Sequence, residues 1–306
     1  MEARLDRIDS MRLFVRIVER SSFTLAANDI GIPRSTVTQA IRQLEERLGV
    51  RLLQRTTRHV SATLDGEAYY RRCLAILADI EDAEGAFSGA KPSGLLRVEV
   101  QGTLARHFLV PHLPDFLAQY PRIEIGISEG ERWVDLVREG VDCVLRFGNL
   151  PDSDMVARRV TLLERLTCGA PAYFERFGVP ATLDDLAAHR MIGLRSLTTG
   201  HVRPMEFLVN GAVRNVDVPA IVSVTGTETY LATALLGLGL FQVPRFHAEA
   251  ALAEGALVRV LDEWLVPSVP VSLLYPRNRQ LSPRVRVFLD WAAKQFAPAL
   301  PLAADG

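Results

Sequence analysis

Three short helical patterns follow one another near the amino terminus, and each ends where a turn is favoured. Serines at 21–22 end the first pattern, Gly31 the second and Gly49 the third. Thr24 is a candidate cap for the second helix, and Pro33 suits the first turn of the third. The apolar residues at helical spacing are Met11, Phe14, Ile17, Val18, Ala26, Ala27, Ile30, Val37, Ile41, Leu44 and Leu48. Three such helices joined by tight turns predict a helix-turn-helix core.

The third helix presents hydrogen-bonding side chains on the side away from its apolar stripe. Arginine can bind guanine, glutamine can pair with adenine, and an α-helix fits the major groove. No acid interrupts this surface before Glu45, as an anionic partner requires, although a solvated helix face has a similar composition. The candidate DNA-binding residues of this helix are Arg34, Ser35, Thr36, Thr38, Gln39 and Arg42.

After Gly49 the run VRLLQRTTRHVSAT alternates as a two-stranded ribbon does, with Arg55 and Arg58 near its tip. We expect these two arginines to contact phosphates or a narrow minor groove. Chance surface arginines are the alternative. The ribbon next to three helices predicts a winged helix-turn-helix.

Charge is distributed unevenly along the chain. The 306 residues carry a net charge of -1, yet residues 1–63 hold eleven arginines and seven acids and have a net charge of +4. A small basic unit on a mildly acidic body favours phosphate contact by the amino-terminal unit alone.

The run from Ser21 to Tyr70, SSFTLAANDIGIPRSTVTQAIRQLEERLGVRLLQRTTRHVSATLDGEAYY, resembles the DNA-binding signature of LysR-type transcriptional regulators. The resemblance implies that Arg34, Thr38 and Gln39 contact bases and that Arg55 contacts the backbone. Pro33 stands where serine is frequent in that family and Gln39 where arginine is frequent, so the operator sequence does not transfer from relatives.

A long helix is predicted from Leu64 to Phe87, where no proline occurs. Its apolar seam consists of Tyr70, Cys73, Leu77, Ile80 and Phe87, with Glu84 as the one interruption. This pattern favours a dimerisation helix, and packing against the chain's own carboxy-terminal domain is an alternative that does not exclude it. A hinge is expected around Gly85, Gly89, Pro92 and Gly94.

The remaining residues alternate strand and helix patterns. A strand at 96–100, a helical stretch ending near Tyr120, a strand at 123–127, a short helix at 133–138 and a strand at 141–147 predict a βαβαβ unit with a parallel sheet. Later segments show the same alternation of strand and helix patterns, and Asn210-Gly211 among them is typical of a β-hairpin turn. These patterns predict two α/β lobes like those of periplasmic solute-binding proteins, and LysR-type effector domains share that architecture.

Ligands of open α/β sheets bind beyond the carboxyl ends of the strands. We expect Thr103 and Thr227 to donate hydrogen bonds, Arg146 to pair with a ligand carboxylate and Phe147 to pack on an apolar part of the effector. Helix capping, a structural ion pair and core packing are the respective alternatives. The candidate effector-binding residues are Thr103, Leu104, Arg146, Phe147, Thr225 and Thr227, and weaker candidates are Gly130, Glu131, Arg132 and the segment 195–201.

We therefore expect a multidomain chain: an all-α winged helix-turn-helix with a long linker helix, then a two-lobed α/β effector domain like that of periplasmic binding proteins. The expected boundaries are 1–63, 64–91 and 92–306, with one lobe at about 92–162 and 267–306 and the other at about 163–266.

The expected function is sequence-specific regulation of transcription, modulated by a small molecule. The expected partners are double-stranded DNA, the effector and further copies of the chain as a dimer or tetramer, with no cofactor and no metal. The sequence has no nucleophile elbow, P-loop or zinc-protease motif, so an enzyme is not expected. Three widely spaced cysteines, no signal-peptide pattern and no apolar run of about 18 residues favour the cytoplasm and no membrane association. A small-solute-binding protein without a DNA role is the alternative, which would leave the basic amino-terminal unit unexplained. A constitutive architectural DNA-binding protein would leave the second lobe unexplained.

Overall fold

The computed structural model describes residues 6–55, 60–88, 91–130, 140–148, 155–277 and 281–296. The first described unit has the predicted three helices and a two-stranded ribbon. The helices are α1 (Arg7–Arg20), α2 (Phe23–Ile30) and α3 (Arg34–Leu48), and the strands are β1 (Leu53–Arg55) and β2 (Val60–Ala62). The two strands pair antiparallel, with Leu53 opposite Ala62.

Local sequence sets the ends of these helices. The side chain of Asp6 accepts a hydrogen bond from the Asp9 amide at 2.7 Å and caps α1. Ser22 caps α2 by accepting from the Leu25 amide at 3.3 Å, so the expectation that Thr24 is the cap was wrong, because α2 begins at Phe23. Gly31 and Gly49 adopt the predicted left-handed conformation after α2 and α3.

Helix α4 (Leu64–Ser88) leaves the ribbon and packs against α1. Cys73 and Leu77 are buried in the same core as Phe14, and the rings of Phe14 and Tyr69 lie 5.4 Å apart. The amino-terminal half of the predicted seam is therefore covered by the chain's own DNA-binding unit, a partner that the sequence analysis did not consider. The helix continues through Gly85, which was expected to belong to the hinge.

A mixed sheet organises the carboxy-terminal half. Its strand order is β11-β6-β13-β5-β3-β4, and β12 also pairs with β6. The strands β3, β4 and β5 are parallel, as the βαβαβ pattern predicts, and a helical segment joins β3 to β4. These strands are β3 (Gly94–Val100), β4 (Ile123–Glu129), β5 (Cys143–Phe147), β6 (Met155–Gly169), β11 (Phe241–Pro244), β12 (Val258–Val260) and β13 (Val266–Pro276).

The segment between β3 and β4 is helical but irregular. It consists of α5 (Gly102–Leu104), a π-helical turn (Ala105–Leu109), a 3-10 turn (Val110–His112) and α6 (Leu113–Gln119). Pro111 and Pro114 suit the starts of the last two pieces, because each lies at a first or second helical position. The short helix predicted at 133–138 lies outside the described residues.

Two lobes share the long antiparallel strands β6 and β13. One lobe packs its core on β3 and β5 and closes it with α10 (Pro283–Gln295), which buries Phe288 and Ala292. The other lobe contains the following elements: α7 (Pro171–Phe177), β7 (Met191–Leu194), β8 (Met205–Val209), β9 (Ala212–Val216), β10 (Ala220–Val224), α8 (Thr227–Leu235) and α9 (Arg245–Ala253). Asn210 and Gly211 both have positive φ in the β8–β9 turn, as the hairpin signal predicts.

All three cysteines, Cys73, Cys143 and Cys168, are buried. Burial raises the pKa of Cys73 to about 11 and that of Cys168 to about 12, and it also raises the pKa of Cys143. Among the described residues, no helix has both the length and the apolar character that crossing a bilayer requires.

Gly66, in the first turn of α4, allows α4 to pack directly on the ribbon. A Cβ atom at this position would overlap the Leu52 carbonyl oxygen. That oxygen accepts the Thr63 amide at 2.9 Å, so it cannot move away without breaking the junction of ribbon and helix.

We predict that Gly66→Ala destabilises the amino-terminal unit by about 1–3 kcal/mol, the usual size of an overpacking defect. Urea unfolding of the full chain, followed by circular dichroism, measures the change. Glu67→Ala is the matched control, since Glu67 is exposed on the same turn. Equal midpoints for Gly66→Ala and the parent protein would contradict the packing described for Gly66.

Candidate DNA-binding surface and inter-lobe cavity

One surface of α3 gathers most of the predicted base-contacting side chains. Five of them line a single open recess, namely Arg34, Ser35, Thr38, Gln39 and Arg42. Thr36 is half-buried and lies outside this recess. The opposite face of α3 buries Val37, Ala40, Ile41 and Leu44 in the helical core, so the apolar stripe forces the polar side chains outward.

The two arginines of the recess are not used by the fold. Arg34 and Arg42 are exposed, and neither forms an ion pair with any described residue. By contrast, Arg20 on α1 binds Asp29 of α2 through two nitrogens, at 2.7 and 3.2 Å. The recess therefore presents uncompensated positive charge and free hydrogen-bond donors to whatever binds there.

Glu45 also lies on α3 but is not one of the residues that line the recess. Its Oε1 accepts hydrogen bonds from the amides of Leu52 and Leu53, at 2.8 and 3.0 Å. The carboxylate thus holds the start of β1 against α3 and sets where the ribbon leaves the helix. The sequence analysis noted Glu45 only as the first acid of α3 and missed this positioning role.

The ribbon tip is the part of this surface that the structure does not describe. Arg55 is the last residue of β1, where it pairs with Val60, while its side chain and Arg58 lie outside the described residues.

The predicted effector residues separate into three groups. Phe147 and Thr227 line a cavity between the two lobes. Leu104 is fully buried in the core of one lobe, and Thr225 is exposed. Thr103 is buried, and its hydroxyl has no hydrogen-bond partner among the described residues.

Arg146 is not in the cavity. Its guanidinium is buried and donates to Glu99 Oε1 at 2.6 Å. The two residues lie on the adjacent parallel strands β5 and β3. The expectation that Arg146 pairs with a ligand carboxylate was therefore wrong, because its partner is Glu99 of the same sheet. The residue of β5 that does line the cavity is Phe147.

The cavity has a volume of about 250 Å³ and lies where β5 and β13 meet the second lobe. Its described walls are mostly apolar and rich in proline, with a few polar side chains. The polar members are Arg165, Arg203, Glu206, Thr227, Tyr230, Gln242 and Ser268. The apolar members include Phe147, Met191, Leu194, Met205, Val213, Val243 and Val269.

Sequence analysis missed four cavity residues that lie far apart in the chain: Arg165 on β6, Arg203 in the segment before β8, Tyr230 on α8 and Gln242 on β11. The sequence does single out Gln242, because it is the one polar residue in the apolar run from Leu238 to Val243. A buried glutamine in a strand requires partners, and here it contacts Glu206, Thr167 and Arg165.

Beside the cavity, four titratable side chains join the lobes. Arg106 of the π-helical turn lies 3.2 Å from Glu228 of α8, whose other oxygen lies 3.6 Å from His247 Nε2 on α9. The rings of His107 and His247 are 6.0 Å apart. Burial lowers the pKa of His247, and Arg106 and His107 lower it further while Glu228 raises it. Burial also lowers the pKa of His107.

Comparison with known proteins decides the family. The sequence-family model of the LysR substrate binding domain matches residues 89–297. The sequence-family model of the bacterial regulatory helix-turn-helix protein, lysR family, matches residues 8–67. This chain belongs to the LysR family of transcriptional regulators. The fold and function expected from the sequence are thereby confirmed, and the LysR relatives are regulators, not enzymes.

Curated LysR relatives align along nearly the whole chain. The Escherichia coli transcriptional regulator YhjC is 36% identical over 291 residues, covering 94% of this chain and 97% of YhjC. A transcriptional repressor of Pseudomonas aeruginosa is 35% identical over 306 residues, covering 96% of this chain and 93% of its own length.

A solved LysR structure also aligns along nearly the whole chain. CrgA of Neisseria meningitidis superposes with a TM-score of 0.61 at 29% identity, covering 94% of this chain and 98% of CrgA. The arrangement of helix-turn-helix, linker helix and two-lobed α/β domain is therefore that of a full-length LysR regulator.

The lowered pKa of His247 implies that the stability of the folded protein depends on pH. Because the folded-state pKa of His247 lies below its unfolded value of about 6.5, the folded protein favours the neutral ring. The neutral His247 ring therefore makes its full contribution to the free energy of unfolding above the unfolded-state pKa. This contribution is lost as the pH falls below that value.

We predict that lowering the pH from about 8 to about 5.5 lowers the melting temperature, and that His247→Gln weakens this dependence. Differential scanning calorimetry across this pH range measures it. His201→Gln, at an exposed histidine, is the control and should keep the parental dependence. A His247→Gln profile identical to the parental one would refute the role given to His247.

Proposed function

We propose that α3 lies in the major groove of an operator and that the ribbon tip contacts the adjacent sugar-phosphate backbone. The observation that carries this proposal is the exposed recess of α3, whose arginines and amide have no partners among the described residues. In this arrangement Arg34, Thr38 and Gln39 contact base edges, and Ser35, Thr36 and Arg42 contact bases or phosphates nearby. Arg55 and Arg58 neutralise phosphates.

The second part of the proposal is that a small-molecule effector binds in the inter-lobe cavity. Phe147 and Thr227 line that cavity, and α5, which carries Thr103, contacts α8, which begins at Thr227. The buried, unpartnered hydroxyl of Thr103 is a hydrogen-bonding group available at this junction. Thr225 stays in the proposal as a residue of the loop before α8, while Leu104 supports α5 from the core.

An effector can change DNA binding only if it binds one arrangement of the lobes better than another. One lobe contacts α4 where Gly140 packs beside Arg71. The contact is close, because a Cβ atom added to Gly140 would lie 3.5 Å from the Arg71 carbonyl oxygen. A shift of the lobe that carries Gly140 would therefore reach the helix that supports the DNA-binding unit. We propose that this contact transmits effector binding to the angle between DNA-binding units.

Members of the family oligomerise, and we propose that this protein acts in the cytoplasm as a dimer or as a dimer of dimers. Two copies of α3 about one turn of DNA apart, ~34 Å, suit a pseudo-palindromic operator. The domain divisions at residues 63 and 91, and the lobe divisions at about 162 and 266, are part of the same proposal.

The division of roles between helix and ribbon predicts different defects for two arginine variants. Arg34→Ala should lower affinity for the protein's own promoter fragment about tenfold and leave affinity for a scrambled fragment nearly unchanged, because it removes a base contact. Arg58→Ala should weaken both complexes equally and reduce the salt slope by about one unit, because it removes a phosphate contact.

Fluorescence anisotropy with both fragments at several salt concentrations measures these effects. Arg12→Ala is the control, since Arg12 is exposed on α1 and outside the recess. Equal, sequence-independent losses for Arg34→Ala and Arg58→Ala would disprove the division of roles.

A further inference from the structure

Some charged side chains of the inter-lobe cavity pair with each other, and one does not. Arg165 Nη1 lies 2.7 Å from Glu206 Oε2, so this guanidinium and this carboxylate neutralise each other. Arg203 also lines the cavity, and its side chain has no ion-pair or hydrogen-bond partner among the described residues. The described walls therefore hold two positive charges and one negative charge, which leaves one positive charge uncompensated.

The side-chain groups of Gln242 are already used within the protein. Gln242 Oε1 accepts from the Glu206 amide at 2.9 Å and from Arg165 at 3.5 Å. The Gln242 side-chain nitrogen donates to the Glu206 carbonyl at 3.0 Å and to Thr167 Oγ1 at 3.3 Å. A ligand ammonium group would meet two guanidinium groups and one carboxylate that is already paired, so the net positive charge of the described walls repels it.

Tyr230 adds a neutral donor at the same wall. Its oxygen accepts the Gln242 amide at 3.3 Å, which leaves the phenolic hydrogen available to a ligand. Burial raises the pKa of Tyr230 to about 12, so the hydroxyl keeps its proton at neutral pH. Arg165 and Arg203 line the same cavity as Tyr230, and both act against that rise in its pKa.

The other walls suit a compact apolar group. Phe147 comes from β5, Val269 from the shared strand β13, and Met191, Leu194 and Met205 from the second lobe. The volume of about 250 Å³ is below the roughly 300–1,000 Å³ of sites for drug-sized ligands. The space therefore suits a small metabolite with an apolar body.

We infer that the effector is a small monocarboxylate with a compact apolar body and no ammonium group, bound with its carboxylate between Arg203 and the Tyr230 hydroxyl. This inference rests on the proposed effector role of the cavity. It makes Arg203 the residue that selects the charge of the ligand and Tyr230 a second donor to the same carboxylate. It also disfavours free amino acids, whose ammonium group would meet two guanidinium groups and one carboxylate that Arg165 already binds.

Matched sets of compounds with one apolar body test this inference. The probes are 3-phenylpropanoate, its neutral amide and phenylalanine, together with 4-methylpentanoate, its amide and leucine. Isothermal titration calorimetry with the full-length protein should show that at least one carboxylate binds about tenfold or more tightly than its amide and its amino acid, as expected for a hydrogen bond to a charged group.

Arg203→Gln should remove this preference by weakening carboxylate binding about tenfold while leaving amide binding unchanged. Arg214→Gln is the matched control, because Arg214 is an exposed arginine on the neighbouring strand β9 and does not line the cavity. Tyr230→Phe should weaken the carboxylate and the amide alike, since both accept from the hydroxyl.

Three results would overturn the inference: amides or amino acids that bind as tightly as the carboxylates, a carboxylate preference that survives in Arg203→Gln, or no binding by any carboxylate of the panel. Promoter binding by the same samples separates this failure from that of the proposed function. If the protein prefers its own promoter but the carboxylate preference is absent, the ligand class is wrong and the DNA-binding role stands. Loss of promoter preference in the parent protein would instead refute the proposed function.

Discussion

Burial of one stripe of α3 determines what this protein presents to its surroundings. Val37, Ile41 and Leu44 pack inside the helical core, and each fully buried aliphatic side chain contributes about 1.5–3 kcal/mol. Since a helix has only one rotation about its axis that buries this stripe, Arg34 and Gln39 must face outward. The hydrogen bonds from Leu52 and Leu53 to Glu45 then fix where the ribbon starts relative to that outward face.

A second constraint, the pairing of β6 with β13, governs the other half of the chain. Both strands run through the sheet that the two lobes share, so the cavity walls meet along a continuous hydrogen-bonded backbone. Phe147 and Val269 approach the cavity from this shared sheet, and Tyr230 and Arg203 approach it from the second lobe. The cavity is thus sensitive to how the lobes are arranged, and the cluster of Arg106, Glu228 and His247 lies across the same junction.

Local patterns predicted the helices and the parallel strands well, because caps and periodicity act within a few residues. Gly31, Gly49 and the Asn210-Gly211 turn adopt the conformations that their residue types favour. Ser22 replaced Thr24 as a cap because a shift of two residues in the start of α2 changes which hydroxyl reaches a free amide.

The binding cavity was harder to predict, because its walls come from residues far apart in the chain. Arg146 follows a strand pattern that suits a ligand-binding arginine, but the pairing of β3 with β5 places Glu99 next to it. Arg165 lies on β6, a strand that the sequence patterns did not locate, and its partner Glu206 is 41 residues away. Only the folded sheet shows that Arg203 remains the uncompensated cation among the described lining residues.

The most direct test of the account asks which groove of the operator the protein contacts. Guanines in the protein's own promoter fragment can be replaced singly by 7-deazaguanine, which lacks the major-groove N7 acceptor, or by inosine, which lacks the minor-groove amino group. The account predicts that 7-deazaguanine at one or more positions weakens binding about tenfold, and that Arg34→Ala no longer responds to that replacement. Binding that responds to inosine but to no 7-deazaguanine would contradict it, because α3 would then not lie in the major groove.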